Sequence, residues 1–92
     1  MSAAAQLTHA VREYLARRRD ALNEEVRHYP TPIARCDVQL TALLDARAEV
    51  LDLLRQDADA MLAGFAAAAD RFEDAEAARL AAAITSASGP FG

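Results

Sequence analysis

Apolar residues recur every seven positions between residues 33 and 82 of this 92-residue chain, with one arginine among them. A second apolar series follows the first by three or four residues, so both series lie on one face of an α-helix. The pattern predicts a long helix with coiled-coil-like packing against other helices. The first series is Ile33, Leu40, Arg47, Leu54, Met61, Ala68, Ala75 and Ala82, and the second is Leu43, Leu44, Val50, Leu51, Ala58, Phe65 and Phe72.

A shorter amphipathic stretch precedes this one and predicts a first helix over residues of about 3–27. Its apolar residues recur at spacings of three and four, which form one stripe along a helix. Pro30 then disfavours helix at the residue before it. Thr31 suits the N-cap and Pro32 the first helical position, so a second helix is expected from about residue 32. Because this connection is short, the pattern predicts an all-α antiparallel helical hairpin.

The second helix is expected to be long, about 32–84, because this stretch contains no proline after Pro32 and only one glycine, Gly64. One alternative is a kink near Gly64, since glycine is about 1 kcal/mol less favourable than alanine in a helix. Another is a break into a three-helix bundle, because residues 56–59 include potential N-caps. Residues 1–86 are expected to form a single helical domain, and the turn-rich residues 87–92 a flexible tail.

A turn centred near residues 30–31 also predicts which residues face each other across the hairpin. Leu22 is expected to lie opposite Leu40, and Arg47 near Tyr14, where its guanidinium can lie over the aromatic ring. Arg47 interrupts an apolar heptad position, and a polar residue there often fixes register or oligomeric state. The equally weighted alternative is that its side chain extends past the stripe to water.

In this register the first helix ends before it can cover the far part of the stripe. The uncovered residues require either a third helix that folds back or a second copy of the chain. The favoured interpretation is a homodimer, assembled as a four-helix bundle through an interaction surface of Met61, Leu62, Phe65, Ala69 and Phe72.

Composition and charge support association and argue against two kinds of partner. The chain is 53% hydrophobic but only 5% aromatic, and much of the difference is alanine, so a single-chain core is thin. Residues 1–35 carry six arginines and four acids, whereas residues 36–92 carry four arginines and ten acids. This acidic chain lacks the basic, aromatic-rich surface of nucleic-acid binders, and no stretch is long and apolar enough to span a membrane. A cytoplasmic bacterial protein is the expectation.

Few residues suggest chemistry, and each has a structural interpretation that is favoured. Glu25 and His28 have the spacing of a carboxylate–histidine pair in di-iron bundles, but one chain cannot complete such a site. Cys36 is the only cysteine and falls on the apolar stripe, so it is expected to be buried rather than reactive. The arginines 17–19 are expected to pair on the surface with Asp20, Asp45 or Glu49. A group of acidic residues is expected to form solvated helix faces, namely Asp45, Glu49, Asp52, Asp70, Glu73, Asp74 and Glu76.

No motif predicts an enzyme or a cofactor. The function predicted is therefore a non-catalytic helical interaction or assembly module that self-associates through its long apolar stripe. The first alternative is a small regulator or adaptor that binds a different protein through its C-terminal helix. The second, weaker alternative is a metal-binding helical bundle.

Overall fold

The computed structural model describes residues 3–29 and 37–88, which form four α-helices and no strand, so the all-α prediction is confirmed. The first helix has the range expected from the sequence, whereas the region of the second contains three helices. Ala87 belongs to the last helix rather than to a tail. The helices are α1 (Ala3–Arg27), α2 (Asp37–Arg55), α3 (Ala58–Phe72) and α4 (Ala75–Ser88).

Successive helices run in alternating directions, as in an up-and-down bundle. Tyr29 and Asn23 of α1 hydrogen-bond Gln39 and Arg47 of α2, respectively, which makes that pair antiparallel. α1 contacts all three other helices, whereas α2 and α4 do not touch each other within the described residues. α3 likewise contacts the other three, so α1 and α3 together connect α2 and α4.

The first interruption of the expected long helix lies at Gln56 and Asp57. The Gln56 amide donates to the Leu53 carbonyl, which tightens the last turn of α2. Asp57 then has an extended backbone, and its carboxylate accepts a hydrogen bond from the Ala60 amide at 2.9 Å. It is the N-cap of α3, because this bond satisfies one of the amides that a helix start leaves without a partner.

The second interruption lies at Glu73 and Asp74. Glu73 ends α3 in the left-handed conformation, with φ of 55°. Asp74 repeats the role of Asp57, since its Oδ1 accepts from the Ala77 amide at 2.7 Å. The continuous helix over 32–84 is therefore wrong, as is a kink at Gly64. α3 runs through Gly64, which lies close to α2, because a Cβ built there would be 2.7 Å from Leu53 Cδ2.

The register of the hairpin also differs from the prediction. The expected turn would place residue 32 opposite Tyr29 and residue 38 opposite Asn23. The observed partners are Gln39 and Arg47, about two helical turns further along the chain. Within the described residues α2 runs from Asp37 to Arg55, and these two hydrogen bonds place it further along α1 than a turn centred at residues 30–31 predicts.

One hydrophobic core receives side chains from all four helices. Its largest fully buried members, Phe65, Leu15, Met61, Val11 and Val50, come from α1, α2 and α3, and α4 adds Ala77 and Ile84. The molecule is nevertheless elongated, at 52 × 22 × 21 Å. Its radius of gyration is 15.0 Å, against about 12 Å for a compact domain of this length.

Candidate interaction surface

The apolar stripe predicted for self-association lies inside the single chain. Met61 and Phe65 are fully buried and Phe72 is 5% exposed, while Leu62 and Ala69 are half-buried. The expectation that this stripe is uncovered is wrong, because α3 folds back along α2 and α4 folds back along α3. The sequence left two ways to cover the stripe, a folded-back helix or a second copy of the chain. In the structure, folded-back helices cover it.

Tyr14 is the residue around which this part of the core is organised. Its ring packs edge-on against Phe65 and Phe72, with centroids 5.6 and 5.7 Å away. The two phenylalanine rings stack on each other at 5.4 Å. Edge-to-face contacts of this kind add to the energy of burial. Aromatic residues from α1 and α3 thus supply much of the apolar area in a chain that is otherwise rich in alanine.

The Tyr14 hydroxyl links this aromatic cluster to the start of α4. It donates a hydrogen bond to Asp74 Oδ2 at 2.5 Å, while the other carboxylate oxygen caps α4. Burial, followed by the bond to Asp74, raises the pKa of Tyr14 well above its usual range. The same bond lowers the pKa of Asp74. These shifts keep Tyr14 neutral and Asp74 charged near neutral pH. Because both oxygens of Asp74 already accept hydrogen bonds, the pair has a structural role.

Ion pairs between α1 and the start of α4 surround this link. Arg17 binds Glu76 at 2.6 Å, and Arg18 Nη1 lies 3.8 Å from Asp74 Oδ2. The hydrogen bond to Arg17 lowers the pKa of Glu76. Sequence reasoning expected this arginine cluster to pair with Asp20, Asp45 or Glu49. Among the described residues, only the neighbouring Arg19–Asp20 pair matches that expectation, and Asp74 and Glu76, just before and within the first turn of α4, are the partners of Arg18 and Arg17.

Arg47 does not approach Tyr14, so the predicted contact between them is wrong. Arg47 is half-buried, and its Nη1 is 3.5 Å from the Asn23 side-chain oxygen. The cation over the Tyr14 ring is Arg17, with its Cζ 5.9 Å from the ring centroid. The observed register places Arg47 level with Asn23 rather than with Tyr14. An effect of Arg47 on oligomeric state stays a prediction.

The residues with potential chemistry do not converge on one place. Glu25 and His28 are both exposed near the end of α1, and the His28 ring contacts Glu24 rather than Glu25. Cys36 lies outside the described residues. Within residues 3–29 and 37–88, no group of three or more histidine, cysteine or acidic side chains is placed to hold a metal ion. No helix in that part of the chain has the length and apolarity to cross a bilayer.

The surface that stands out is the end of the α1–α2 hairpin. α1 is about 37 Å long and α3 about 22 Å, so α3 and α4 cannot cover the whole hairpin. Phe72, the last residue of α3, lies near Arg18 and Leu22 of α1 and Ala46 of α2. Beyond this level the hairpin continues to Tyr29, just after α1, and to Gln39 of α2, and no other helix of residues 3–29 and 37–88 covers it.

The uncovered stretch forms an open groove of about 670 Å³ between residues 18–29 of α1 and 39–46 of α2, here termed the hairpin groove. Leu22, Leu43 and Ala46 form its apolar floor, and Ala42 is exposed beside them. Val38, one turn before Ala42, is 78% exposed. The groove is continuous with the space at the end of α3, so it extends the core past the point where α3 stops.

Sequence reasoning missed this surface because it gave the first break, at residues 56–59, only as an alternative and did not predict the second. The signal was present, since Asp57-Ala58-Asp59 and Asp74-Ala75-Glu76 repeat one pattern. In each, an aspartate caps the helix and a second acid in the first turn complements the positive end of the helix dipole.

Comparisons with known proteins give no family or function for this arrangement of helices. The chain matches no family model, and no curated protein or solved structure shows significant similarity to it. The groove is therefore interpreted from its own geometry and chemistry.

Proposed function

We propose that this chain is a non-catalytic helical interaction module that binds a helix of a partner in the hairpin groove. The observation that carries the proposal is the continuity of the groove with the core. Phe72 ends the helix that fills the space between α1 and α2, and the same space stays open from Leu22 towards Tyr29. An added helix can continue the third layer of the bundle.

The chemistry of the groove suits an amphipathic helix. The floor is formed by Leu22, Leu43 and alanine side chains, and small residues let another backbone approach closely. Charged and polar groups such as Glu25 and Gln39 lie along the edges, where they can pair with the polar face of the incoming helix. Val38, one turn before Ala42 on α2, is exposed next to the groove, where an incoming helix can contact it.

The proposal keeps the function class expected from the sequence but assigns the interaction to the hairpin groove instead of the apolar stripe. A homodimer and an adaptor for a different protein both remain compatible with it, because either partner supplies a helix. Met61, Phe65 and Phe72 are less suited to this role, because they are buried in the core while the four helices stay packed.

A selection with displayed peptides tests the proposal. Amphipathic helical peptides are selected on the wild-type protein, and their affinities are measured on Ala42→Glu and Ala67→Glu. Both alanines are exposed, but Ala67 lies on α3 away from the groove. We expect at least about tenfold weaker binding to Ala42→Glu alone, because a buried unpaired carboxylate disfavours docking. Equal affinity for all three proteins, or failure to select any helical peptide, would contradict the proposal.

A further inference from the structure

The two edges of the hairpin groove continue the edges that α3 covers. On the α2 edge, Arg71 of α3 donates to the Glu49 carboxylate, from Nε at 3.2 Å and from Nη2 at 2.5 Å. On the α1 edge, the Arg18 Cζ lies 5.7 Å from the centroid of the Phe72 ring of α3. These contacts mark the sides of α1 and α2 that face the third layer of the bundle.

Past the end of α3, each edge continues with a carboxylate. Asp45 lies one turn from Glu49 along α2, and Glu25 lies two turns from Arg18 along α1. Both acids are exposed and line the space that α3 no longer fills. Neither forms a hydrogen bond or an ion pair with another residue in the part of the chain that the structure describes. The edges therefore lack the cation that α3 supplies to α2 one turn earlier.

The basic groups that line the same space are already engaged. Arg18 and Arg71 each pair with an acid of this chain, and the His28 ring contacts Glu24. Glu73, just after α3, adds a third exposed carboxylate that has no partner among the described residues. The end of α3 also contributes the negative end of its helix dipole. The unpaired charge around the apolar floor is thus negative.

From these observations we infer that the hairpin groove binds a basic amphipathic helix of a different protein. The apolar face of that helix covers Leu22, Leu43 and Ala46. Lysines or arginines on the two sides of this face pair with Glu25 and Asp45, which repeats the contact that α3 makes with α2 one turn earlier. The inference rests on the proposed function and adds the chemistry of the partner.

Charge also distinguishes a different protein from a second copy of this chain. The chain has a net charge of −4 at pH 7, so two copies repel each other. Among the four helices described, only α1 carries more arginines than acids, and α1 already packs against the other three. A helix that supplies cations to both edges is therefore expected from another protein.

A peptide library with a variable polar face tests the chemistry of the partner. Each peptide keeps one apolar helical face, and the positions on the two sides of that face vary among lysine, glutamine and glutamate. Selection on the wild-type protein at low ionic strength is expected to enrich lysine on both sides. Low salt is used because it screens exposed charge pairs least.

Reversal of the two edge charges provides the matched test. Glu25→Lys combined with Asp45→Lys is expected to weaken binding of the selected basic peptides at least about tenfold, because two attractive pairs become repulsive. Selection on this double variant is expected to enrich glutamate instead. Glu13→Lys combined with Asp70→Lys makes the same change in net charge at exposed positions outside the groove. This control is expected to bind the basic peptides within about threefold of wild type.

The outcomes separate this inference from the proposed function. Lysine-rich peptides that lose affinity only for the reversed groove support the inference. Neutral or acidic peptides from the wild-type selection overturn it, as does equal affinity of basic peptides for the two double variants. In either case the proposed function stands if Ala42→Glu still weakens binding. Ala42 lies between Asp45 and the floor residue Ala46 around α2, so its substitution tests docking itself.

Two further results would also overturn the inference. If no helical peptide is selected, the proposed function fails together with it. If the protein alone forms a dimer in sedimentation equilibrium that Ala42→Glu dissociates, the groove binds a second copy instead. Circular dichroism of each variant confirms that the helices are intact.

Discussion

The hydrogen bond from Tyr14 to Asp74 joins α1 to the connection between α3 and α4, and Tyr14→Phe removes it alone. The ring is kept, so its contacts with Phe65 and Phe72 are unchanged. A hydrogen bond to a charged group contributes about 1.5–3 kcal/mol. The Asp74 side chain is 35% exposed, and water can replace part of the lost bond. We therefore expect a loss of about 1.5 kcal/mol, at the lower end of that range.

Urea denaturation at about pH 7 measures this loss directly, and a thermal melt should show a decrease in Tm of roughly 6–12 °C. Tyr29→Phe is the matched control, because the Tyr29 hydroxyl donates to Gln39 at 3.2 Å in an exposed position. It is expected to change the free energy of unfolding by no more than about 0.5 kcal/mol. Equal effects of the two substitutions would refute the interpretation of Tyr14 as a link between helices.

The pH dependence of the stability difference between wild type and Tyr14→Phe gives a second test. The pKa of Asp74 is lowered in the folded chain, so its contribution is complete above the ordinary carboxyl pKa of about 4. It is lost as the pH falls through the lowered value. The pKa of Tyr14 is raised, so its contribution declines above about pH 10, where an unfolded tyrosine ionises. The difference between wild type and Tyr14→Phe should therefore be largest near neutral pH and decrease in acid and in alkali. A difference that is constant over this whole range would contradict the assignment.

Three further substitutions test the packing and the helix ends, each by urea denaturation. Glu73→Gly should stabilise the chain by about 1 kcal/mol, because φ of 55° is strained for glutamate and free for glycine; an unchanged or lower stability would count against this. Gly64→Val should destabilise more than Gly64→Ala, since the added methyl groups meet Leu53 where one Cβ already approaches to 2.7 Å; equal stabilities would show that α2 and α3 are not in close contact there. Phe65→Ala should lose about 3–5 kcal/mol, because the ring is fully buried within one chain; a loss below about 1 kcal/mol would show that the ring is not in the core.

The sequence predicted those features that depend on the periodicity of apolar residues. α1 has the expected range because its stripe is bounded by Pro30 and because apolar spacing reports directly on the buried face. The same spacing marked Met61, Phe65 and Phe72 as packing residues. The spacing does not show whether the surface that covers these residues belongs to the same chain. In this protein the covering helices belong to the same chain.

The breaks between helices could not be deduced with the same certainty. A heptad pattern continues across Asp57 and Asp74 because each helix places its own apolar face inward, whether or not the axis is continuous. Aspartate is an ordinary surface residue in a helix as well as a cap, so the sequence alone does not decide between these roles. The groove followed from the breaks, since it exists only where α3 has ended.

The central claim is that the hairpin groove, and not the stripe in the core, is the surface of association. The most direct measurement is the affinity of a selected amphipathic helical peptide for Ala42→Glu beside wild type and Ala67→Glu, each shown by circular dichroism to keep its helices. Our account expects equal binding to wild type and Ala67→Glu, and at least about tenfold weaker binding to Ala42→Glu. Equal affinity for all three proteins would contradict it, because the contact would then lie elsewhere on the molecule.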